Sequence, residues 1–168
     1  MSIISRRGEV ADLAALRLLA IASFCAAYER FNTEANMRDY LAKNFSEEKL
    51  LEEIAAGQIL LGWKEGEIVA YAKLVAPDPG MIPGRNALEI SRLYTDVKLI
   101  GQRIGVYMMN HITNEARNRG YDSVCLGVWQ KNYRAINFYQ REGFKISGTV
   151  PFIFGDDVQS DFVMLKVL

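Results

Sequence analysis

The chain has 168 residues, of which 50% are hydrophobic and 24% charged, a composition typical of a globular domain with one core. Lys plus Arg and Asp plus Glu number 20 each, so the formal net charge is zero. This balance provides no long-range field toward a polyanion and argues against DNA or RNA binding. No signal peptide and no unbroken apolar run of ~18 residues is visible. We therefore expect no membrane span and a cytoplasmic location.

The first third of the chain is predicted to contain one strand and three helices. Residues 2–7 form a short strand, and a helix over about 9–30 carries apolar residues at helical spacing. A second helix follows Asn32–Thr33, a natural N-cap. Ser46 caps a third helix over 47–56, whose first turn is acidic.

Strands and helices alternate in the rest of the chain. A short polar turn joins two apolar, partly β-branched runs, a hairpin signal, and a loop rich in proline and glycine follows. The predicted elements are strands 59–63, 68–75 and 88–97, helix 101–119, strand 123–129, helix 132–141, and strands 144–153 and 159–167. This order predicts an α/β fold in which helices flank both faces of a mixed sheet, within one domain over 1–168.

A glycine-containing turn leads from the end of the predicted strand 88–97 into the helix predicted from Gly101. Unpaired N–H groups and a positive dipole end at the start of a helix suit a pyrophosphate. The segment matches neither the dinucleotide fingerprint G-x-G-x-x-G nor the P-loop, which disfavours those two kinds of nucleotide binding. A purely structural turn explains the glycines equally well.

A more specific pattern lies between Asn132 and Phe144, which reads N-x-x-A-x-x-F-Y-x-x-x-G-F. Together with the preceding strand, turn, helix and strand, residues 88–144 resemble the GCN5-related N-acetyltransferase superfamily. The resemblance implies the acyl-CoA N-acyltransferase fold, acetyl-CoA as cosubstrate, and transfer of its acetyl group to a primary amine. The closest resemblance is to bacterial PaiA-type spermidine/spermine N-acetyltransferases, seen in Leu88–Tyr94, Leu126–Trp129 and Phe154–Asp157, and it implies a small polyamine acceptor.

The resemblance also implies how acetyl-CoA is held. The pantetheine arm would pair with the backbone of Leu93, Tyr94 and Thr95. The pyrophosphate would lie in the turn formed by Gly101, Gln102, Arg103, Ile104, Gly105 and Val106. Asn132 and Tyr139 would contact the cofactor from the later helix. In the family this turn reads Q/R-x-x-G-x-G/A. Here Ile100 replaces the Gln or Arg, and Arg103 replaces the first glycine. Arg103 gives up glycine's backbone freedom but brings a guanidinium to the phosphates.

Acetyl transfer to an amine requires two proton movements. The amine must lose a proton, because alkylamines are mostly protonated at pH 7, and the departing thiolate is helped by gaining one. By resemblance, Tyr139 is the acid that protonates the sulfur, and Glu89 is the base, acting through a water. The structural alternatives are a packing aromatic for Tyr139 and a solvent-facing strand carboxylate for Glu89.

The other polar residues are assigned less specific roles. His111 has no Cys or His partner nearby, so no metal site is expected. Cys25 and Cys125 are interpreted as buried, reduced thiols. Two acidic groups are either solvated faces or partners for the distal ammonium groups of a polyamine: Glu47, Glu48, Glu52 and Glu53 near the third helix, and Asp156, Asp157 and Asp161 near the C-terminus.

Two other functions remain open at this point. The same core residues would serve acetylation of a protein N-terminus or lysine, and a non-catalytic acyl-CoA-binding module would share the fold. The expected partner is a small-molecule amine, without nucleic acid or membrane, and a homodimer is left open.

Overall fold

The computed structural model describes residues 2–168 and contains the predicted elements in the predicted order. The first strand and three helices are β1 (Ile4–Arg7), α1 (Leu13–Tyr28), α2 (Glu34–Asn44) and α3 (Glu47–Ala55). A hairpin and a third strand follow: β2 (Ile59–Lys64), β3 (Glu67–Val75) and β4 (Ala87–Thr95). The chain ends with α4 (Ile104–Asn118), β5 (Ser123–Trp129), α5 (Tyr133–Arg141), β6 (Lys145–Phe154) and β7 (Asp157–Val167).

The seven strands form one mixed sheet flanked by the helices, in the order β1-β2-β3-β4-β5-β7-β6. Strands β1, β2 and β3 are antiparallel neighbours. Strand β4 runs parallel to β5, with pairs from Ala87–Ser123 to Glu89–Cys125. Strand β7 pairs antiparallel with both β5 and β6. The predicted α/β class, a mixed sheet with flanking helices, is therefore confirmed.

The chain divides into two compact units, which are described separately. Unit 1 comprises residues 2–73 and 92–108, and unit 2 comprises Leu74–Ser91 and Met109–Leu168. Strands β3 and β4 and helix α4 each contribute residues to both units. The assignment of residues 1–168 to one domain stays a prediction.

Helices α2 and α3 of unit 1 begin where their capping residues predict. Thr33 accepts a hydrogen bond from the Asn36 N–H at 3.1 Å, and Ser46 accepts one from the Lys49 N–H at 3.2 Å. Each cap satisfies a backbone donor that the helix itself leaves unpaired, which is worth about 1 kcal/mol. Both predicted N-caps are confirmed because capping depends only on residues three positions apart.

Helix α1 and its bordering 3-10 turns form an apolar stretch, Val10–Phe31, with a mean hydropathy of 1.8 in its most apolar window. By length and composition this stretch could cross a membrane. It is not an unbroken apolar run, because Arg17 and Ser23 interrupt it. The indication is weak, since core helices pass the same test. Its buried stripe, formed by Leu16, Leu19, Ala20 and Phe24, has the spacing of a helix packed on a core.

Buried residues of unit 2 lie on both faces of its sheet: Val124, Leu126 and Met164 point to one face, and a second group points to the other, which we call the core face. Ile82, Ala87, Cys125 and Val163 form a buried cluster there, against which Met81, Val150 and Leu165 pack. Burial, and secondarily the charge of Glu89, raises the pKa of Cys125 to about 12, which keeps this thiol protonated and unreactive. Cys125 is therefore a buried, reduced thiol as predicted, whereas Cys25 in unit 1 is half-buried rather than buried.

Two helices begin later than predicted. Helix α1 begins at Leu13, four residues after the predicted start. Helix α4 begins at Ile104, three residues after the predicted start at Gly101. Gly101 and Arg103 both have positive φ angles, 88° and 63°, which a right-handed helix cannot accommodate. The intervening residues form a turn that remains outside the helix.

Candidate active site

The segment predicted to pair with pantetheine, Leu93–Thr95, forms the end of β4 in unit 1, and all three residues are half-buried. The Asp96 N–H donates to the Val69 carbonyl at 2.8 Å and so fixes the end of the strand. The Tyr94 ring stacks on Tyr71, with 5.9 Å between the centroids. Burial above all raises the pKa of Tyr94 well beyond its usual range, so its side chain is a neutral anchor for this segment.

An ion-pair network lies directly before this segment in unit 1. Glu53 is 2% exposed and accepts hydrogen bonds from the Lys73 Nζ and from the Arg92 Nη1, each at 2.8 Å. The Arg92 guanidinium also lies 4.7 Å from the centre of the Phe45 ring. The structural expectation of a solvated face for Glu53 is therefore wrong. Glu47, Glu48 and Glu52 on the same helix are exposed, as a solvated face requires.

The predicted phosphate turn, residues 101–106, also belongs to unit 1. Gly101, Gln102 and Arg103 are exposed, and Lys64 Nζ donates to Gln102 Oε1 at 3.0 Å. Because α4 starts at Ile104, the N–H groups of its first turn have no acceptor within the helix and present the positive end of its dipole. Unpaired N–H groups beside exposed cationic side chains fit a pyrophosphate.

Asn132 occupies the N-cap of α5 in unit 2. Its Oδ1 accepts a hydrogen bond from the Ala135 N–H at 3.2 Å, and its own N–H donates to the Trp129 carbonyl at 2.9 Å. The side-chain oxygen is therefore committed to the helix. Only the amide Nδ2 donors of Asn132 are suited to an additional acceptor, such as a cofactor carbonyl.

Glu89 lies on the core face of the unit 2 sheet. It is half-buried, and it pairs in register with Cys125 of β5. Residues that pair across neighbouring strands point to the same face, so the Glu89 carboxylate shares the face of Ala87 and Cys125. Glu89 is thus not the fully solvated strand carboxylate of the structural alternative.

Tyr139 lies toward the opposite face of the same sheet. Its ring contacts Phe138 and Phe144, with centroid distances of 5.3 and 5.7 Å. The Phe144 ring in turn lies 6.0 Å from Lys166 Nζ. Because Lys166 follows Leu165 of the core face, strand alternation directs Lys166 to the other face. The candidate acid and the candidate base therefore approach unit 2 from different sides of its sheet.

The core face also carries a carboxylate that receives no hydrogen bond. Asp161 pairs with Trp129 across β5 and β7, and its Oδ1 is buried without a partner among residues 2–168. Burial raises the pKa of Asp161 to about 6. Asp156 and Asp157 are exposed, and Asp157 accepts from Gln159 at 3.0 Å. Of the C-terminal acidic residues, only Asp161 has lost much of its hydration.

Sequence reasoning missed the Glu53–Arg92 pair because its members are 39 positions apart. Alternation within β7 indicates that Asp161, Val163 and Leu165 share a face, whereas their alignment with Cys125 and Glu89 depends on the pairing of β4, β5 and β7.

Comparison with known proteins supports the assignment of the family. Residues 22–144 match the Acetyltransferase (GNAT) family. An uncharacterized N-acetyltransferase from the pepI 3′ region of Lactobacillus delbrueckii subsp. lactis is 30% identical over 160 residues, which cover 94% of this chain and 92% of the relative. A spermidine N(1)-acetyltransferase of Thermoplasma acidophilum is 26% identical over 174 aligned positions, with coverage of 99% and 98%.

Solved structures show the same fold. The PaiA N-acetyltransferase of Thermoplasma acidophilum in complex with coenzyme A superposes with a TM-score of 0.84 at 25% identity, and all of both chains is covered. The ribosomal-protein-S18-alanine N-acetyltransferase of Escherichia coli has a TM-score of 0.70 at 16% identity, covering 99% of this chain and 94% of that one. These similarities confirm the acyl-CoA N-acyltransferase fold and acetyl-CoA as cosubstrate. The chain belongs to the acetyltransferase (GNAT) family and is an acetyl-CoA-dependent N-acetyltransferase.

Proposed function

We propose that the acetyl acceptor is a small polyamine such as spermidine or spermine. The observation that carries this proposal is the similarity, over nearly the whole chain, to a relative named as a spermidine N(1)-acetyltransferase. The half-buried carboxylates of Glu89 and Asp161 on one face of unit 2 agree with it, because polyamines are cationic at neutral pH. The formal net charge of zero agrees with a small acceptor rather than a nucleic acid, and we further propose that the enzyme is cytoplasmic.

Acetyl-CoA supplies the acetyl thioester. In unit 1, Leu93, Tyr94 and Thr95 pair with its pantetheine arm. The first-turn N–H groups of α4 and the preceding turn hold its pyrophosphate, in a segment formed by Gly101, Gln102, Arg103, Ile104, Gly105 and Val106. In unit 2, Asn132 donates from its amide Nδ2, since its Oδ1 already accepts from the Ala135 N–H.

In the proposed reaction the amine nitrogen bonds to the acetyl carbon and the carbon–sulfur bond breaks. Glu89 accepts the amine proton through a water, and Tyr139 donates a proton to the departing sulfur. Since the two residues lie on opposite faces of the unit 2 sheet, this division requires a thioester position that both side chains reach, directly or through a water. An acid and a base that serve different atoms of one reaction need not contact each other.

The test is coenzyme A release from acetyl-CoA against a panel of acceptors: spermidine, spermine, free amino acids, aminoglycosides and short peptides. We expect the highest kcat/KM with spermidine or spermine. Activity on peptides alone would overturn the polyamine proposal in favour of acetylation of a protein N-terminus or lysine. That second candidate is favoured by the fold shared with the ribosomal-protein-S18-alanine enzyme.

A further inference from the structure

Asp161 is an uncompensated carboxylate inside unit 2. Its Oδ1 is buried without a hydrogen bond, and Asp161 forms no ion pair within residues 2–168. A desolvated carboxylate without a cation is costly, so most buried carboxylates in proteins are paired. Replacing it by an uncharged residue would remove this cost, which makes an unpaired Asp161 unusual for a merely structural position.

Because Gly127 has no side chain, it leaves a gap of about the size of a methyl group beside this carboxylate. A Cβ built at Gly127 would lie 3.5 Å from Asp161 Oδ2 and 3.9 Å from the Met81 methyl group. Gly127 itself is exposed, while Asp161 is only half-buried. Solvent therefore reaches the strand surface beside the carboxylate, through a gap that any larger side chain would narrow.

The gap lies on the same face of the sheet as Glu89. Glu89 pairs with Cys125 of β5, and Gly127 is two residues further along that strand, so their side-chain directions coincide. Asp161 belongs to β7, on the other side of β5 from β4. Two strand spacings, about 10 Å, therefore separate the strands that carry the two carboxylates. Asp161 pairs with Trp129, four residues beyond Cys125 along β5, but its carboxylate reaches back toward Gly127.

We propose that Asp161 and the gap at Gly127 form a subsite for the second, non-reacting ammonium group of a diamine or polyamine acceptor. This inference rests on the proposed function, in which Glu89 serves the reacting nitrogen. Asp161 Oδ2, the carboxylate oxygen beside Gly127, accepts hydrogen bonds from the bound ammonium group, and the methylene chain crosses β5 over Gly127 beside the Met81 methyl group. The subsite selects acceptors that carry two positive charges over simple alkylamines.

The first experiment compares 1,4-diaminobutane and spermidine with butylamine, in which one ammonium group is missing. In the wild-type enzyme we expect a lower KM for the two polyamines. Asp161→Asn should raise the KM for both polyamines about tenfold or more, the effect of losing a charge-assisted hydrogen bond. The kcat should change by less than about twofold, because the lost interaction binds the second ammonium group equally in the ground state and in the transition state. The KM for butylamine should not change, because butylamine has no second ammonium group.

Two variants serve as controls. Asp157→Asn removes an exposed carboxylate on the same strand, and it should leave all three acceptors unaffected. Gly127→Ala adds a methyl group at ordinary contact distance from Asp161, so the fold should persist while the polyamine KM rises. If Asp161→Asn fails to fold, the polyamine KM of Gly127→Ala tests the subsite instead.

The outcomes separate this inference from the proposed function. Equal loss for butylamine and the polyamines in Asp161→Asn, or no loss for either, would overturn the subsite and leave acetyl transfer intact. If wild type releases no coenzyme A with any amine, the proposed function fails, and calorimetric titration with spermidine decides the subsite alone. Binding to wild type that is lost in Asp161→Asn supports the subsite, and equal binding or none overturns it.

Discussion

Glu53 of α3 and Arg92 of β4 form an ion pair with 2.8 Å between Oε2 and Nη1, and Glu53 is only 2% exposed. Lys73 donates to the other carboxylate oxygen at the same distance. Arg92 immediately precedes Leu93, the first residue of the segment proposed to pair with pantetheine. The pair therefore ties a helix to the strand position from which the cofactor segment starts.

Replacing Glu53 with Gln is expected to destabilise unit 1. The variant leaves two cations beside a neutral amide, and breaking a buried pair in this way costs about 3 kcal/mol or more. Urea unfolding measures the loss. Glu52→Gln is the matched control, since Glu52 is exposed and lies 3.7 Å from Lys49, and a surface pair contributes about 0–1 kcal/mol. Equal stability of the two variants would show that the buried pair contributes little.

We expect that the backbone of Arg103 is strained and that its charge strengthens the binding of coenzyme A. Its φ of 63° lies in the left-handed region, which costs a side-chain-bearing residue roughly 1 kcal/mol or more. Arg103→Ala keeps that strain, and Arg103→Gly relieves it, although glycine also loses about 0.5–1 kcal/mol through its flexible unfolded state. Calorimetric binding of coenzyme A should weaken equally in both variants, and more at low salt than at high salt. Weakening in Arg103→Gly alone would point to conformation rather than charge.

The helix N-caps and the buried pair of Glu53 show which features could be predicted from the sequence. The N-caps Thr33 and Ser46 were predicted correctly, and Asn132 was placed at the start of its helix, because a cap is decided by residues three positions away. The environment of Glu53 was not predicted, because it is set by Lys73 and Arg92, which are 20 and 39 positions away.

The boundary of α4 illustrates a local failure with a physical cause. The sequence predicts that the helix begins at Gly101. The positive φ of Arg103 is not helical, so the helix begins at Ile104. A sequence pattern indicates that a turn contains glycine, yet it does not give the residue at which the backbone re-enters the helical region. The desolvation of Asp161 could not be predicted from its sequence neighbours either, because it depends on how β5, β6 and β7 pair.

Tyr139→Phe tests the candidate acid. The phenyl ring keeps the contacts with Phe138 and Phe144, so binding of coenzyme A should be unchanged. Without the hydroxyl no proton is delivered to the sulfur, and kcat should fall about a hundredfold. Tyr133→Phe provides the control on the same helix, since Tyr133 is 70% exposed. An unchanged kcat in Tyr139→Phe would remove this residue from the mechanism.

Glu89→Gln tests the candidate base. The amide cannot take the amine proton, so the reaction should depend on amine that is already deprotonated in solution. The acceptor's pKa is near that of lysine, about 10.4, and the pH–rate profile should therefore shift toward alkaline pH. Asp161→Asn, on the same face, should change the KM for polyamines without this shift. A profile identical to that of wild type would argue against Glu89 as the base.

Asp161→Asn should be more stable than wild type at neutral pH, and the gain should vanish in acid. Burial raises the pKa of Asp161 from 3.8 to about 6, so folding disfavours its charged form. As pH rises from about 4 to 6, the unfolded chain holds fewer protons than the folded one, and the stability of wild type falls. Asparagine lacks this ionisation, so the difference in unfolding free energy should grow over that window and level off above it. Urea unfolding of both proteins at pH 4.0, 5.0, 6.0 and 7.5 measures it, and a constant difference would show that Asp161 is not desolvated. Spermidine at pH 7.5 should raise the melting temperature of wild type more than that of the variant at the same concentration, because the charged Asp161 carboxylate strengthens binding to the folded state.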